Sequence, residues 1–308
     1  MIRVLRGLAG LTLAFAAACS ARQAASEHDH AMPGMSTASG GEMAGKQNLS
    51  LPASSAAAAQ RLATSPRHGE WVMIKTGPTD SVRAWVSYPS RSDKAPVVVV
   101  LHEIFGLSTW VRGVADQVAS DGYIAIAPDL LTGKAPLLGD SLPYSVARAE
   151  ISKLKEDDVQ RMITAVAKYG MNLPSAQKVY GTVGYCWGGQ RSFAHAVENP
   201  PGLKASVVYY GQTPPVTDLP RIRVPVLGLY GSLDARQTLN VPPTDSAMKA
   251  LGKSYDGHVY SGATHGFLRA QGDLATDGTT PASAAPNVAA TADAWPLTVA
   301  FFRKNLGK

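Results

Sequence analysis

The stretch GYCWGG, residues 184–189, decides the fold because it marks a tight turn between an apolar run at 178–183 and a helical pattern at 187–198. A residue at the centre of G-x-C-x-G, entered from a strand and left by a helix, has its side chain pushed out of the fold. A thiolate there would lie near the positive N-terminal end of the helix, which favours the ionised form. A buried, inert cysteine is the alternative, and the flanking glycines disfavour it. We therefore predict that the thiol of Cys186 is presented for chemistry.

From Trp71 onward the chain alternates short apolar runs with helical stretches. The run PVVVVLH at 96–102 is typical of a strand covered on both faces. Predicted strands lie at 71–76, 83–88, 96–102, 123–127, 178–183, 205–210, 224–230 and 254–260, and predicted helices at 109–120, 145–169, 187–198, 243–251 and 289–306. The alternation predicts an α/β protein with a mostly parallel sheet of about eight strands flanked by helices. Ligands of such sheets bind outside the carboxyl ends of the strands.

Two further candidates for catalysis follow strands at that edge. Asp234 comes after the run 224–230, and His265 comes after the run 254–260. Taken singly, a loop Asp usually caps a helix or makes a turn, and a lone His is more often structural. With Cys186 they follow the chain order nucleophile, acid, histidine, which is the α/β-hydrolase arrangement. His265 would take the proton of Cys186, and Asp234 would orient the imidazole and stabilise its charged form.

An acyl-transfer site also needs hydrogen-bond donors for the oxyanion. The backbone N–H of Trp187, directly after the nucleophile, is one candidate, and the loop after the run 96–102 supplies the other, for which we choose Ile104. Glu103, in the same loop, is a charged residue at the end of an all-apolar strand, where burial is costly without a partner. An ordinary exposed loop carboxylate is the alternative for Glu103.

Several motifs together resemble the dienelactone hydrolase family. They are HEIFGL at 102–107, GYIAIAPDLL at 122–131, GYCWGG, the Asp234 loop and ATHGFLR at 263–269, which occur in order within 71–302. The resemblance implies an α/β-hydrolase fold and a carboxymethylenebutenolidase-like ester hydrolase, which opens an unsaturated lactone to maleylacetate. Under this resemblance the triad is Cys186, Asp234 and His265, and the oxyanion donors are Ile104 and Trp187.

The resemblance also implies roles for charged residues around the triad. The glutamate that matches Glu103 binds the resting thiol and helps it to ionise, and the arginine that matches Arg269 receives the substrate carboxylate. A solvated surface arginine is the alternative for Arg269, although a planar guanidinium suits a carboxylate well. The family has a second carboxylate-binding arginine before the nucleophile strand. Arg148 and Arg161 are both available for it, and no motif chooses between them.

A cysteine nucleophile narrows the class of substrate. Because a thiolate leaves more readily than an alkoxide, an intermediate formed on an ordinary alkyl ester collapses back to reactants. Enol lactones, phenyl esters and thioesters avoid this, whereas amides need strong acid catalysis. The leading hypothesis is therefore a hydrolase of activated esters or lactones that works through an acyl-enzyme. The start of the chain, described next, adds the expectation that this hydrolase is exported. The alternatives are a broad carboxylesterase of other substrates and a non-catalytic envelope protein with a metal-binding tether.

The N-terminal 66 residues differ from the rest in composition. Residues 1–19 have a basic start, an apolar stretch and small residues before Cys19, which predicts a secretory signal. Its end resembles a bacterial lipoprotein processing site at which Cys19 would be lipidated, and ordinary cleavage just before it is the alternative. We expect a periplasmic protein or a membrane-anchored lipoprotein. Residues 20–66, rich in Ala, Ser, Gly and Gln, predict a flexible tether, so that 67–308 form the hydrolase domain.

The tether contains a cluster of soft metal ligands. His28, His30, Met32 and Met35 lie close together, with Met43 further on, and imidazole and thioether ligands suit copper. We favour a solvated linker, because nothing nearby would fix a coordination geometry.

Charge and motif spacing also limit the partners. The formal net charge is +6 without a dense run of Lys or Arg, so nucleic-acid binding is not indicated. The pair His102 and Glu103 does not begin a zinc motif, because position 106 is Gly106 rather than histidine. We expect a monomer that acts on a small ester or lactone and uses no metal or other cofactor.

Overall fold

One sheet of eight strands runs through the described part of the protein, in the order β1-β2-β4-β3-β5-β6-β7-β8. The computed structural model describes residues 48–137, 142–276 and 278–307. The strands are β1 Gly69–Lys75, β2 Ser81–Ser87, β3 Ala95–Leu101, β4 Ile124–Asp129, β5 Ala176–Tyr185, β6 Leu203–Tyr209, β7 Val226–Gly231 and β8 Tyr255–Tyr260. Strands β3 to β8 are parallel, and β1 and β2 pair antiparallel at one edge. The predicted α/β-hydrolase fold with a mostly parallel sheet is confirmed.

Both faces of the central strands are covered. Every residue of β3 is buried, as expected for a continuous β-branched run between parallel neighbours. The helices are α1 Ala58–Ala63, α2 Thr109–Ser120, α3 Tyr144–Ile151, α4 Glu156–Asn172, α5 Trp187–Glu198, α6 Ala235–Thr238, α7 Val241–Ala250, α8 Phe267–Ala270 and α9 Pro281–Leu306. Alternate residues of the strands point into two hydrophobic clusters, one on each side of the sheet. No helix among the described residues has the length and apolar character that crossing a membrane requires.

Two of the predicted helices differ markedly from the observed ones, and the short helices α1, α6 and α8 were not predicted. The single helix predicted over 145–169 is divided into α3 and α4. The acidic residues Glu156, Asp157 and Asp158 occupy the first turn of α4, where the positive end of a helix stabilises them, so a new helix begins there. The last helix begins at Pro281 rather than at 289, because Thr280 and Ser283 form a capping box at its start.

The start of the folded domain also differs from the prediction. The described residues from 48 onward form one compact unit, so the tether prediction does not hold for residues 48–66. Ala58 is 1% exposed and packs close to Gly113, because two small residues let α1 approach α2. Composition missed this segment, since alanine can be buried wherever a neighbouring helix presents a glycine. The predicted signal, Cys19 and the His/Met cluster lie outside the described residues.

Candidate active site

The turn between β5 and α5 presents Cys186. Its φ of 55° and ψ of −115° are unusual for a residue with a side chain, and they mark the turn as strained. A Cβ at Gly184 would lie 2.0 Å from the backbone oxygen of Gly188, so only glycine fits there. Cys186 itself is half-buried and forms no disulfide among the described residues. The turn therefore holds Cys186 at the carboxyl end of the sheet, where the residue is partly exposed.

His265 and Asp234 lie at the ends of the two neighbouring strands and meet each other and Cys186. Asp234 follows β7 and precedes α6, and His265 follows β8. The Nδ1–H of His265 donates to the Oδ2 of Asp234. Because a carboxylate can only accept, the proton sits on Nδ1 in the neutral ring and Nε2 is left to accept. The imidazole also hydrogen-bonds to the thiol of Cys186. The three side chains predicted as a triad are thus brought together.

The surroundings of His265 favour its charged form. Burial lowers the pKa of His265, but the hydrogen bonds to Asp234 and Cys186, and the charges of both, raise it to about 10. An imidazolium between a carboxylate and a thiolate is stabilised from both sides. The arrangement can therefore accept the proton of the thiol and hold it.

Glu103 lies beside the triad, deep in the fold. Its side chain is 2% exposed, which excludes the exposed loop carboxylate that the sequence left open. Burial raises the pKa of Glu103 to about 7, against the opposing effects of Arg269, His265 and Tyr210. The Nε of Arg269 lies 3.1 Å from Oε2 of Glu103, an ion pair without the alignment of a hydrogen bond. The guanidinium carbon of Arg269 also lies 4.7 Å from the ring centre of Phe105.

His102, which the sequence analysis considered only as a zinc ligand, supports two of the predicted residues. The Leu130 N–H donates to its Nε2 over 3.3 Å, so Nδ1 carries the proton and donates to the Glu103 carbonyl over 2.7 Å. Burial lowers the pKa of His102, which keeps the ring neutral. The ring stacks on that of Trp187, with the centres 5.5 Å apart. A histidine next to a glutamate at a strand end was the available signal.

Tyr210 is a second residue that sequence reasoning missed. It follows β6 directly, has a φ of 41° and is completely buried. Its ring centre lies 5.0 Å from that of His265, and its hydroxyl interacts with Glu103 and Cys186. Burial raises the pKa of Tyr210 well above its usual range, so the hydroxyl stays protonated. Its position after a strand at the carboxyl edge was the only sequence signal.

The two predicted oxyanion donors come from adjacent loops. A Cβ at Gly188 would lie 2.4 Å from the backbone oxygens of Leu101 and His102, so the start of α5 presses against the end of β3. No hydrogen bond to the backbone N–H of Ile104 or Trp187 is found among the described residues. Both side chains pack against one hydrophobic cluster, made up of Leu131, Leu142, Ala147 and Ile151. Helix α3 therefore covers the two loops that carry the donors.

The two arginines between which the sequence did not choose lie in different places. Arg161 donates to the Thr76 carbonyl over 2.6 Å and to Asp158 over 3.1 Å. Arg148 is exposed on α3, with its Nη1 3.4 Å from the hydroxyl of Tyr144. The ring of Tyr144 contacts that of Phe105, which in turn contacts Arg269. Arg148 therefore adjoins the site, whereas Arg161 is held at the end of β1.

Comparison with known proteins shows the family of the chain. Residues 82–306 match the dienelactone hydrolase family. The chain belongs to this family. A Salmonella typhimurium protein provisionally named carboxymethylenebutenolidase is 31% identical over 239 residues, covering 70% of this chain and 86% of its own. One of the same provisional name from Saccharolobus solfataricus is 26% identical, covering 72% and 94%.

A solved structure supports the same assignment. A provisionally named dienelactone hydrolase from Klebsiella pneumoniae superposes with a TM-score of 0.64 at 26% identity, covering 77% of this chain and 99% of its own. The family and the fold together make this dienelactone hydrolase family member a carboxylic ester hydrolase.

Proposed function

We propose that the protein is an exported cysteine hydrolase that opens activated esters or enol lactones through Cys186, His265, Asp234 and an acyl-enzyme. One observation carries the proposal: His265 is hydrogen-bonded to Asp234 on one side and to Cys186 on the other, at the ends of parallel strands. A nucleophile, a base and a group that orients the base are the parts that covalent acyl transfer requires.

The first half-reaction forms a thioester. Sγ of Cys186 attacks the substrate carbonyl while its proton passes to Nε2 of His265. The negative charge that develops on the carbonyl oxygen accepts hydrogen bonds from the backbone N–H groups of Ile104 and Trp187. Collapse of this intermediate breaks the bond to the leaving oxygen, which takes the proton from His265. The acyl group then remains on Cys186.

The second half-reaction returns the enzyme to its starting state. His265 takes a proton from water, and the resulting hydroxide attacks the thioester carbonyl. The Cys186 thiolate leaves, and His265 supplies the proton that regenerates the resting pair. Asp234 holds the imidazole in the same tautomer in both halves. Net reaction is addition of one water across one ester bond.

Two charged residues beside the triad have separate roles, Glu103 toward the thiol and Arg269 toward the substrate. A buried carboxyl whose pKa is about 7 changes its protonation state readily near neutral pH, which suits the role of binding the resting thiol and helping it to ionise as the proton passes to His265. The guanidinium of Arg269 is a suitable receptor for a substrate carboxylate, with Arg148 as the second arginine. An acidic enol lactone, such as the substrate that the name of the Salmonella relative denotes, would then be bound at one end and attacked at the other.

A broad carboxylesterase is the second candidate, and one contact favours it. The guanidinium of Arg269 is already engaged, with Glu103 at 3.1 Å and the Phe105 ring at 4.7 Å. An arginine neutralised in this way attracts an anionic substrate less strongly, so neutral aryl esters would also be accepted.

Hydrolysis rates over a small panel test the proposal and separate the two candidates. The panel holds an acidic enol lactone, its neutral methyl ester, p-nitrophenyl acetate and an ordinary ethyl ester. We expect turnover of the first three and little of the ethyl ester, whose alkoxide leaves less readily than the thiolate. A preference for the acidic lactone indicates the dienelactone activity, and equal rates on acidic and neutral lactones indicate the broad esterase. Equal rates on ethyl and p-nitrophenyl esters would contradict a cysteine mechanism.

We further propose that the protein is exported, that it is either released into the periplasm or anchored through lipid on Cys19, and that it acts as a monomer. The basic and apolar start of the chain and the small residues before Cys19 support the first two points. Fatty-acid labelling of wild type and Cys19→Ser tests the anchor: label in the wild type only supports it. Light scattering of the purified protein gives the mass of the assembly directly.

A further inference from the structure

The segment 48–65 lies before the region that matches the family, yet it contacts the site. We call it the N-terminal strap. The family match begins at residue 82, so the strap lies outside the matched region. It crosses α2 and reaches α8, the short helix that carries Arg269. Its contacts indicate a role beyond linking the domain to what precedes it.

Two hydrogen bonds join the strap to α8. The backbone N–H of Ser55 donates to the carbonyl of Arg269 over 2.8 Å. The side-chain amide of Gln271, which follows α8, donates to the carbonyl of Pro52 over 2.8 Å. The hydroxyls of Ser55 and Thr276 also lie 3.2 Å apart. The strap therefore holds the C-terminal half of α8 and the residues that follow it.

The strap is itself anchored to the core. Trp110 on α2 donates its indole N–H to the carbonyl of Ala53 over 3.1 Å. Arg61 donates to the side chain of Gln117 over 3.0 Å, and Ala58 is buried against α2. Both anchor points lie on α2, which has 12 residues and packs on the sheet. The strap is therefore held in place by α2, and it holds α8 in place in turn.

Helix α8 needs such support. It has four residues, too few to define its own position, and it ends at Gln271 with a φ of 48°. A non-glycine residue in this region persists only where its surroundings hold it. Arg269 is thus fixed at two points, by the strap at its carbonyl and by Glu103 at its guanidinium.

We propose that the N-terminal strap, through Ser55, positions Arg269 against Glu103 and so sets the preference of the site for acidic over neutral substrates. This rests on the proposed function, in which Arg269 receives a substrate carboxylate. Without the Ser55 contact, the backbone of α8 shifts and the guanidinium leaves the position beside Glu103 in which it would receive a substrate carboxylate. This loss of alignment outweighs the weaker neutralisation of Arg269 by Glu103. Ser55 is therefore a positioning residue and touches no substrate.

The variant Ser55→Pro removes the donor with little other change. Ala57 N–H donates to the Ser54 carbonyl over 3.1 Å, which makes Ser55 the second residue of a turn, a position that proline favours. Ser55 is not one of the residues with a positive φ, which the ring of an introduced proline could not adopt. Ser55→Ala is the matched control, because it loses the hydroxyl and keeps the N–H. Gln271→Met is a second variant, which removes the other hydrogen bond at nearly constant size.

The first readout is the ratio of kcat/KM for an acidic lactone to that for its neutral ester. We expect this ratio to fall about fivefold in Ser55→Pro, the effect of one net hydrogen bond, and to stay at the wild-type value in Ser55→Ala. Gln271→Met should lower it in the same direction. A general loss of stability would lower both rates together, so an unchanged ratio in Ser55→Pro and Gln271→Met would overturn the proposal.

The second readout does not need turnover. The charged and titratable groups that interact with Glu103 are Arg269, His265, Tyr210 and Tyr185, and Cys186 interacts in turn with Tyr210 and His265. Burial raises the pKa of Glu103 and the charge of Arg269 lowers it. If Arg269 moves away, the pKa of Glu103 rises further. NMR titration of the Glu103 carboxyl carbon should then show a higher midpoint in Ser55→Pro than in Ser55→Ala. If the wild type hydrolyses no ester, the proposed function fails and this titration still decides the strap. Identical midpoints in both variants would reject it.

Discussion

The Nε of Arg269 lies 3.1 Å from Oε2 of Glu103, with the arginine 17% exposed and the glutamate 2% exposed. Despite this partner, burial raises the pKa of Glu103 to about 7. Desolvation of the carboxylate therefore exceeds the attraction of the guanidinium, as is common for buried ion pairs. The charge of the site consequently changes near neutral pH, where the proposed thiol chemistry takes place.

The stability of the protein should depend on pH through Glu103. The folded state holds a proton on Glu103 that the unfolded state has lost, so the free energy of unfolding falls as pH rises through about 7. Glu103→Gln cannot ionise and escapes this loss. Relative to wild type, the variant should gain about 3 kcal/mol between pH 4.5 and pH 8, an order-of-magnitude value from the shift to about 7.

Urea unfolding of both proteins over that pH range measures this gain. The comparison uses the change with pH rather than the absolute stability, because Glu103→Gln also leaves Arg269 without its ion pair. A difference that stays constant over the range would contradict a raised pKa at Glu103.

Asp234→Asn should remove most of the activity and leave the fold intact. The amide no longer favours the charged imidazole, so the pKa of His265 falls from about 10, and the amide can stabilise the wrong tautomer. We expect kcat to drop by about 10⁴-fold, the size seen when a triad carboxylate becomes an amide elsewhere. Steady-state kinetics with p-nitrophenyl acetate measures the drop, and circular dichroism checks the fold. A loss below about tenfold would assign Asp234 to structure.

Two glycines give a matched test of the nucleophile turn. In Gly184→Ala, the new Cβ would lie 2.0 Å from the backbone of Gly188, and we expect a loss of about 3 kcal/mol. In Gly113→Ala, the nearest atom is the Ala58 Cβ at 3.7 Å, an ordinary contact inside α2. That variant should be unchanged or up to roughly 1 kcal/mol more stable, since alanine favours helices. Thermal unfolding of both compares them, and equal melting temperatures would show that the turn tolerates a side chain.

The two arginines that the sequence did not separate should behave differently. Arg148→Ala should raise KM for an acidic lactone about tenfold, because a charge-assisted hydrogen bond to the substrate is lost. Arg161→Ala should stay within about twofold of wild type, since Arg161 is held by Thr76 and Asp158 and its surface ion pairs contribute little. Initial rates on the acidic lactone and its neutral ester give both values. The reverse result would place the second carboxylate receptor on α4.

The sheet and the nucleophile turn could be predicted from sequence because each depends on local pattern. The continuous apolar run of β3 and the glycines around Cys186 carry their structural meaning in consecutive residues. Asp234 and His265 could be placed because parallel strands end at one edge. The chain order then supplied their roles as predictions.

The remaining parts depend on contacts between distant segments. The tautomer of His102 is set by a hydrogen bond from the backbone N–H of Leu130, 28 residues away. Ser55 and Arg269, which form a hydrogen bond, are separated by more than two hundred residues. Composition indicated a flexible tether over 20–66, because alanine-rich sequence shows no hydrophobic pattern of its own. The packing of α1 in this segment against α2 depends on the small residue that α2 presents at Gly113.

The central claim is that Cys186 carries the acyl group during turnover. Intact-protein mass spectrometry of enzyme quenched during p-nitrophenyl acetate hydrolysis tests it most directly, with peptide mapping to locate the modification. We predict one acetyl group on Cys186 in the wild type, more of it in Asp234→Asn, and neither acetylation nor turnover in Cys186→Ala. Hydrolysis at the wild-type rate by Cys186→Ala, or an acetyl group on a different residue during turnover, would contradict the account.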